Sequence, residues 1–175
     1  GDASITYNYG KEEAKKIQRE INEWGGNCEI FKFNILQDNI SEFMGKNFNQ
    51  IFYFASPKIK ENKLSDIDQD LYEEYFEYYV NGLKKIYDSK FLEDIKKIFY
   101  PSTIFLDENN KNYREYCLAK KNGEDFCNLF EKLNISVLKP RLPKFLTDQT
   151  NSILPQKTAN TYTTLIPYLI KMNDF

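Results

Sequence analysis

The chemistry most readily written for this chain lies in Tyr116-Cys117-Leu118-Ala119-Lys120, a tyrosine and a lysine one helical turn apart. Delivering hydride to a ketone builds negative charge on its oxygen, and a positioned acid must supply a proton as that charge develops. A phenol with an ordinary pKa of about 10 is poorly matched to this task near neutrality. An ammonium close by favours the phenolate, and i,i+4 spacing puts the Lys120 side chain on the Tyr116 face of a helix. Spacing alone decides nothing. The chain holds 13 tyrosines and is rich in lysine, and a second pair, Tyr7 and Lys11, occurs where a strand pattern gives way to a helix pattern.

The chain has no histidine. Without imidazole there is no Ser-His-Asp or Cys-His nucleophilic site and no histidine-ligated zinc. Any catalysis must draw on Tyr, Lys, carboxylates, Ser or Cys, which narrows the choice toward the tyrosine.

Tyr116 has neighbours that Tyr7 lacks. The stretch Lys96-Lys97-Ile98-Phe99-Tyr100-Pro101-Ser102-Thr103 reads as a buried strand ending in two hydroxyls, and a helix over 112–133 carries the Tyr/Lys pair. Asn81 falls in the preceding helical pattern, in Val80-Asn81-Gly82. Downstream, Ile135-Ser136-Val137-Leu138 is a further apolar strand, followed by a Pro-rich turn, Lys139-Pro140-Arg141-Leu142-Pro143, and by Thr147.

An Asn, a strand-end Ser or Thr, Tyr-x-x-x-Lys, then a strand, a turn and a Thr form an ordered set that resembles the short-chain dehydrogenase/reductase superfamily. The resemblance runs over nearly the whole chain. Residues 1–9 are similar to that family's second strand and Lys11 to Trp24 to the helix after it, closed by Gly25-Gly26. Cys28 to Ile35 and Gln50 to Ala55 then resemble its third and fourth strands. The family's opening strand, glycine-rich turn and helix have no counterpart, and no G-x-G-x-x-G occurs. The resemblance therefore implies one domain over 1–175: a Rossmann-like, doubly wound parallel sheet in three α/β/α layers, incomplete at its N-terminus. A natural upstream segment, a neighbouring domain or an intermolecular contact is expected to fill the slot between the strands near Ile5 and Ile51.

By the same resemblance Tyr116 is the proton donor and Lys120 its partner, which also holds the nicotinamide ribose. Ser102 or Thr103 binds the substrate carbonyl, and Asn81 positions a relay water. Thr147 contacts the carboxamide, Ala55 follows the fourth strand beside the cofactor, and Asn34 stands where an Asp usually meets adenine. Lys11 lies where a 2′-phosphate would be read. No acidic residue closes the second strand, which tilts the cofactor toward NADP over NAD. Without the phosphate-binding turn, NADPH affinity is expected in the high micromolar range or weaker. Phe54-Ala55-Ser56-Pro57 replaces the family's Asn-Asn-Ala-Gly turn, and Arg141-Leu142-Pro143 replaces a Pro-Gly pair. Two functions stay open: an NAD(P)H-dependent reductase of a small-molecule carbonyl, and a non-catalytic reductase-like scaffold of a larger enzyme.

The elements that must position these residues alternate as strand and helix, the pattern of a parallel sheet covered on both faces. The helix over 11–24 has Ala14, Ile17, Ile21 and Trp24 on one stripe, with Glu12 and Lys16 spaced to pair on the exposed side. A longer helix over 68–87 aligns Tyr72, Tyr75, Phe76, Tyr79, Leu83 and Ile86, a stripe that reads as core or as a subunit contact in a homo-oligomer. The loop Lys58 to Ser65 is polar enough to move. A final helix over 157–172 is expected to break at Pro167. A net charge of −2 gives no reason to expect nucleic-acid binding. No apolar run approaches the roughly 18 residues of a membrane span. Three cysteines without a C-x-x-C pair favour a reducing, cytoplasmic compartment, where the Asn39 and Asn134 glycosylation triplets are accidental.

Overall fold

Every strand pair in the computed structural model is parallel. The structure describes residues 2–43, 46–145 and 159–173, with Glu42, Lys90 and Phe91 as backbone only; Thr147 lies outside the described residues. The chain divides into two compact units, residues 1–39 and 40–175, each with its own local logic.

In the first unit β1 (Asp2–Tyr7) runs into α1 (Lys11–Glu23) and returns as β2 (Asn27–Lys32), a βαβ unit with Asp2 opposite Asn27 and Tyr7 opposite Lys32. The helix ends where Gly25 takes φ +82°, a left-handed position that glycine adopts without a Cβ penalty, and Gly26 N–H closes onto Ile21 O. Side chains stitch helix to strand: Gln18 Nε2 donates to Cys28 O (2.7 Å), and Cys28 N–H donates to Asn22 Oδ1 (2.9 Å). The expected stripe is only partly buried. Ala14 is covered, whereas Ile17 and Trp24 are exposed. Lys15, not Lys16, pairs with Glu12 (2.9 Å), and Lys16 faces Glu20 instead; exposed pairs of this kind contribute little.

The second unit is built on β3 (Gln50–Phe52), β4 (Lys97–Phe99) and β6 (Ser136–Leu138), in the order β3-β4-β6. Between β3 and β4 the chain forms α2 (Gln69–Phe76), a π-helical turn over Glu77–Asn81, and α3 (Gly82–Tyr87). The single helix expected over 68–87 thus has a wide turn at its centre. It starts at Asp68, whose carboxylate accepts Leu71 N–H.

The strand expected over 96–103 is split. Pro140 has no N–H to give Tyr100 O, so the β4–β6 ladder lapses after Tyr100 N–H meets Leu138 O, and β5 (Ser102–Thr103) resumes against β7 (Arg141–Leu142). A short α4 (Phe105–Glu108) and a 3₁₀ turn lead into α5 (Arg114–Lys132), and α6 (Thr161–Asn173) is the last described element. Contrary to expectation α6 continues through Pro167. Leu165, Tyr168 and Met172 hold it against Phe99 and Leu142, and Gln50 Nε2 and Lys97 Nζ both donate to Met172 O at its C-terminal end.

Strand alternation gives the sheet two faces. Phe99 meets α6 and the rings of Phe52 and Phe54 on one side. Tyr100 and Tyr53 stack on the other, where α3 and α5 pack against the π turn. This unit alone is therefore an α/β/α arrangement. Neither the second edge of β1 nor that of β3 carries a ladder partner among the described strands.

Candidate active site

The site forms where α5 crosses the carboxyl ends of β4 and β5, the end of a parallel sheet at which α/β folds usually bind ligands. The α5 face presents Tyr116, Lys120 and Glu124 on successive turns, all three directed at the short stretch Pro101–Thr103. The phenol of Tyr116 faces the Thr103 hydroxyl, which favours its ionised form. Lys120 Nζ donates to Pro101 O (2.7 Å), a carbonyl on the β3 side of the strand and beyond the end of β3. Ser102 Oγ donates to Glu124 Oε1 (2.6 Å).

Of the two strand-end hydroxyls, then, Thr103 meets the tyrosine. Ser102 turns away, as strand alternation requires of adjacent residues. Thr103 Oγ1 also accepts Phe105 N–H at the start of α4.

Lys120 is buried in a cage of tyrosine rings. Its ammonium stands 3.9 Å from the Tyr79 ring centroid, 4.8 Å from Tyr100 and 5.9 Å from Tyr116. Burial lowers its pKa to about 7, against smaller opposing effects of Cys127 and Glu124. Tyr116 responds in the reverse sense to that expected from its sequence spacing. Burial pushes its phenol up, and the Thr103 hydroxyl offsets only part of this; the lysine is not among the groups that lower it. The reason is geometric: Nζ is spent on Pro101 and on ring faces rather than on the phenol oxygen. Tyr116 therefore stays protonated across neutral pH, as a proton donor requires.

The cage is set by packing. Tyr75 and Tyr79 stack on each other and Tyr116 meets both edge to face, and Tyr79 shares a hydrogen bond with Ser56 Oγ (2.6 Å). Gly123 makes room for Tyr100: a Cβ there would lie 2.0 Å from the Tyr100 hydroxyl and 2.8 Å from Tyr79 O. That hydroxyl is buried and has no hydrogen-bond partner among the described residues. Tyr79, Tyr100 and Glu124 were not singled out from sequence as site residues. The aromatic stripe read correctly as core, and nothing in its spacing says that the same rings enclose an ammonium. Glu124, eight residues after Tyr116, carried a usable signal.

The remaining expected residues are placed as follows. Asn81 closes the π turn, and its Nδ2 donates to Glu77 Oε1 (2.6 Å) on its own helix. Ala55 is half-buried just beyond β3. Lys11 is exposed in the first turn of α1, and Asn34 caps its own turn, its Oδ1 accepting Leu36 N–H (3.0 Å); both belong to the first unit.

The polar loop before α2, expected to move, is tied to the start of α5. Buried Glu115 accepts Asn62 Nδ2 (2.7 Å) and Asp68 N–H (2.9 Å), and Arg114 donates to the carbonyls of Leu64, Ser65 and Asp66. Burial opposes the Glu115 charge, yet these donors hold its pKa below the ordinary value.

The Thr103 and Tyr116 hydroxyls suit an oxygen that gains charge during reaction. Lys120, turned onto Pro101, offers nothing to a ribose in this position. Among the described residues there is no group of side chains that could hold a metal ion, and no helix is long and apolar enough to cross a membrane.

The chain matches no protein-family model and no curated protein. Solved structures do match. An alternative dihydrofolate reductase 1 from Brucella suis, in complex with NADP, aligns with a TM-score of 0.67 at 16% identity over 86% of this chain and 65% of its own. Acetoin dehydrogenase from Enterobacter cloacae gives 0.67 at 15% identity over 83% and 66%. A 3-oxoacyl-[acyl-carrier protein] reductase from Brucella melitensis, in complex with NAD, gives 0.64 at 14% over 85% and 66%. The chain thus spans 65% of the length of the first of these and 66% of the other two. At such identities the likeness is one of architecture: the chain carries the Rossmann-like α/β fold of these three structures.

Proposed function

We propose that this chain is the substrate-side part of an NAD(P)(H)-dependent oxidoreductase domain that interconverts a small-molecule carbonyl and its alcohol. The observation that carries this reading is the Thr103–Tyr116 hydroxyl pair at the carboxyl end of β5, with Lys120 one turn further along α5. A carbonyl oxygen entering between them would meet both hydroxyls. Thr103 would orient it, and Tyr116, kept protonated by burial, would give up its proton as charge builds. A bound nicotinamide supplies the hydride. Lys120 would have to leave Pro101 to reach a ribose; held where it is, it braces the end of β4. Three free thiols fit a reducing cytoplasmic setting.

One observation favours a second reading, a scaffold without turnover: the buried lysine is satisfied by protein groups alone. The two readings separate in an assay of carbonyl-dependent NADPH oxidation by the natural protein, with NADPH binding to the 175-residue chain measured by calorimetry. The oxidoreductase reading expects turnover that Thr103→Ala lowers by about 10-fold or more and Ser102→Ala by only a few-fold. It also expects NADPH to bind the chain itself no better than the high micromolar range. A natural protein that oxidises NADPH with no carbonyl in a broad panel would support the scaffold.

A further inference from the structure

We propose that Glu124 is a positioning residue: its carboxylate locks β5, β7 and α5 in register, and so holds the Thr103 hydroxyl on the Tyr116 phenol. The role in turnover rests on the oxidoreductase reading; the structural lock does not. Glu124 Oε1 accepts Ser102 Oγ (2.6 Å) and Arg141 Nε (3.0 Å), and Oε2 accepts Arg141 Nη2 (2.8 Å). Arg141 is the β7 residue directly opposite Ser102 in the ladder. One carboxylate thus bridges both strands from the helix above them, through a bidentate guanidinium contact of fixed geometry.

The strands need such a lock. The ladder of β5 and β7 is two residues long, held by Ser102 N–H to Pro140 O (2.9 Å) and Ile104 N–H to Leu142 O (3.0 Å), and the bond that Pro140 cannot give to Tyr100 O separates it from the β4–β6 ladder. A pairing this short is marginal by itself. Glu124 stands two turns along α5 from Tyr116, so anything that fixes Ser102 to Glu124 also fixes Thr103, the next residue, relative to Tyr116. The second anchor of Arg141 is Asp107 in α4, which ties the far side of Thr103 to the same guanidinium. Burial works against the Glu124 charge, but the Arg141 and Ser102 hydrogen bonds keep its pKa below the usual carboxylate value, so the lock is charged at neutral pH.

Amide hydrogen exchange on the full chain tests the lock without any assay of turnover. Glu124→Ala should speed exchange at Ser102 and Ile104 by about 10-fold or more, while Tyr53 and Tyr100, on β3 and β4 backbone bonds, keep parental protection. Glu124→Gln, which retains an acceptor for Ser102, should restore part of that protection. If Glu124→Ala does not fold, Ser102→Ala removes the same link and should loosen the same two amides selectively. Unchanged protection at Ser102 and Ile104, or a uniform loss at all four amides, overturns the proposal. In the natural enzyme Glu124→Gln should lower kcat by about 10-fold with KM nearly unchanged, since substrate binding is kept and only alignment is lost; an effect on KM alone also overturns it. Absent turnover in the unmutated protein would count against the oxidoreductase reading and leave the exchange result to decide the lock.

Discussion

Tyr7 and Lys11 close β1 and open α1, with Gly10 in a left-handed conformation between them. Tyr116 and Lys120 have the same spacing but stand inside α5, on a face that meets a strand end. In the first pair Lys11 is exposed and Tyr7 only half-buried. In the second both side chains are buried and both titrations move. The difference teaches that a four-residue spacing acquires chemistry from what lies opposite. Pro101 supplies a carbonyl beyond the end of β3, Thr103 a hydroxyl, and Gly123 the space that lets rings close around the ammonium.

The largest effect should come from breaking the second pair while the first serves as control. In the natural protein, Tyr116→Phe removes only the phenol oxygen and should cut carbonyl reduction by about 100-fold or more. Tyr7→Phe should leave turnover within about 2-fold. Steady-state rates of both variants beside the parent decide it: equal losses would erase the distinction between the pairs, and an unaffected Tyr116→Phe would remove the proton-donor assignment.

Next in size is the space beneath the cage. Gly123→Ala pushes a methyl group onto the Tyr100 hydroxyl and onto Tyr79 O, which as backbone cannot turn aside, so it should destabilise the fold by about 2–3 kcal/mol. Gly25→Ala meets open space but must hold φ at +82°, and should cost about 1 kcal/mol. Urea titration of the two variants orders them. A larger loss at Gly25 would mean that α5 yields more readily than the close contact implies.

How far these differences were legible in the sequence varied by kind. Element order and type were legible because apolar periodicity and the Gly25-Gly26 stop act locally; helix α1 was placed to within a residue. The ladder lapse at Pro140 was visible as a residue and missed as a consequence, since losing one ladder N–H matters only once the partner strand is known. The π turn left no mark, because Glu77 to Asn81 has ordinary helical composition. Whether Ser102 or Thr103 faces the tyrosine was undecidable without the strand's parity relative to α5. The direction of Lys120 depended on three tyrosines from separate elements and on one glycine. The expected depression of the Tyr116 phenol failed for the same reason: proximity along a helix fixes where a side chain starts, not where its charge ends.

The smallest effect is a slope rather than a loss, and it compares the two lysines directly. The folded-state pKa of Lys120, about 7, lies below the ordinary lysine value of 10.5. Between these values the unfolded chain carries a proton that the folded chain has released, so stability must rise as pH rises through that window, and the contribution is least below pH 7. The groups facing Lys120 are Tyr79, Tyr100, Tyr116, Cys127 and Glu124. Burial raises the three phenols and the Cys127 thiol and the Glu124 carboxyl is held low, so none of them loses its proton in the folded state between pH 7 and 9. Thiols do ionise in the unfolded chain near the upper end of that range, which works in the opposite direction and makes a variant comparison necessary. Relative to Lys120→Met, the parent should gain about 1–2 kcal/mol between pH 7 and 9 in urea titrations, because the thiol contribution is common to both. Lys11→Met, at an exposed position, should run parallel to the parent throughout. A parallel course for Lys120→Met as well would show that Nζ is reached by water and that the ring cage does not exclude it.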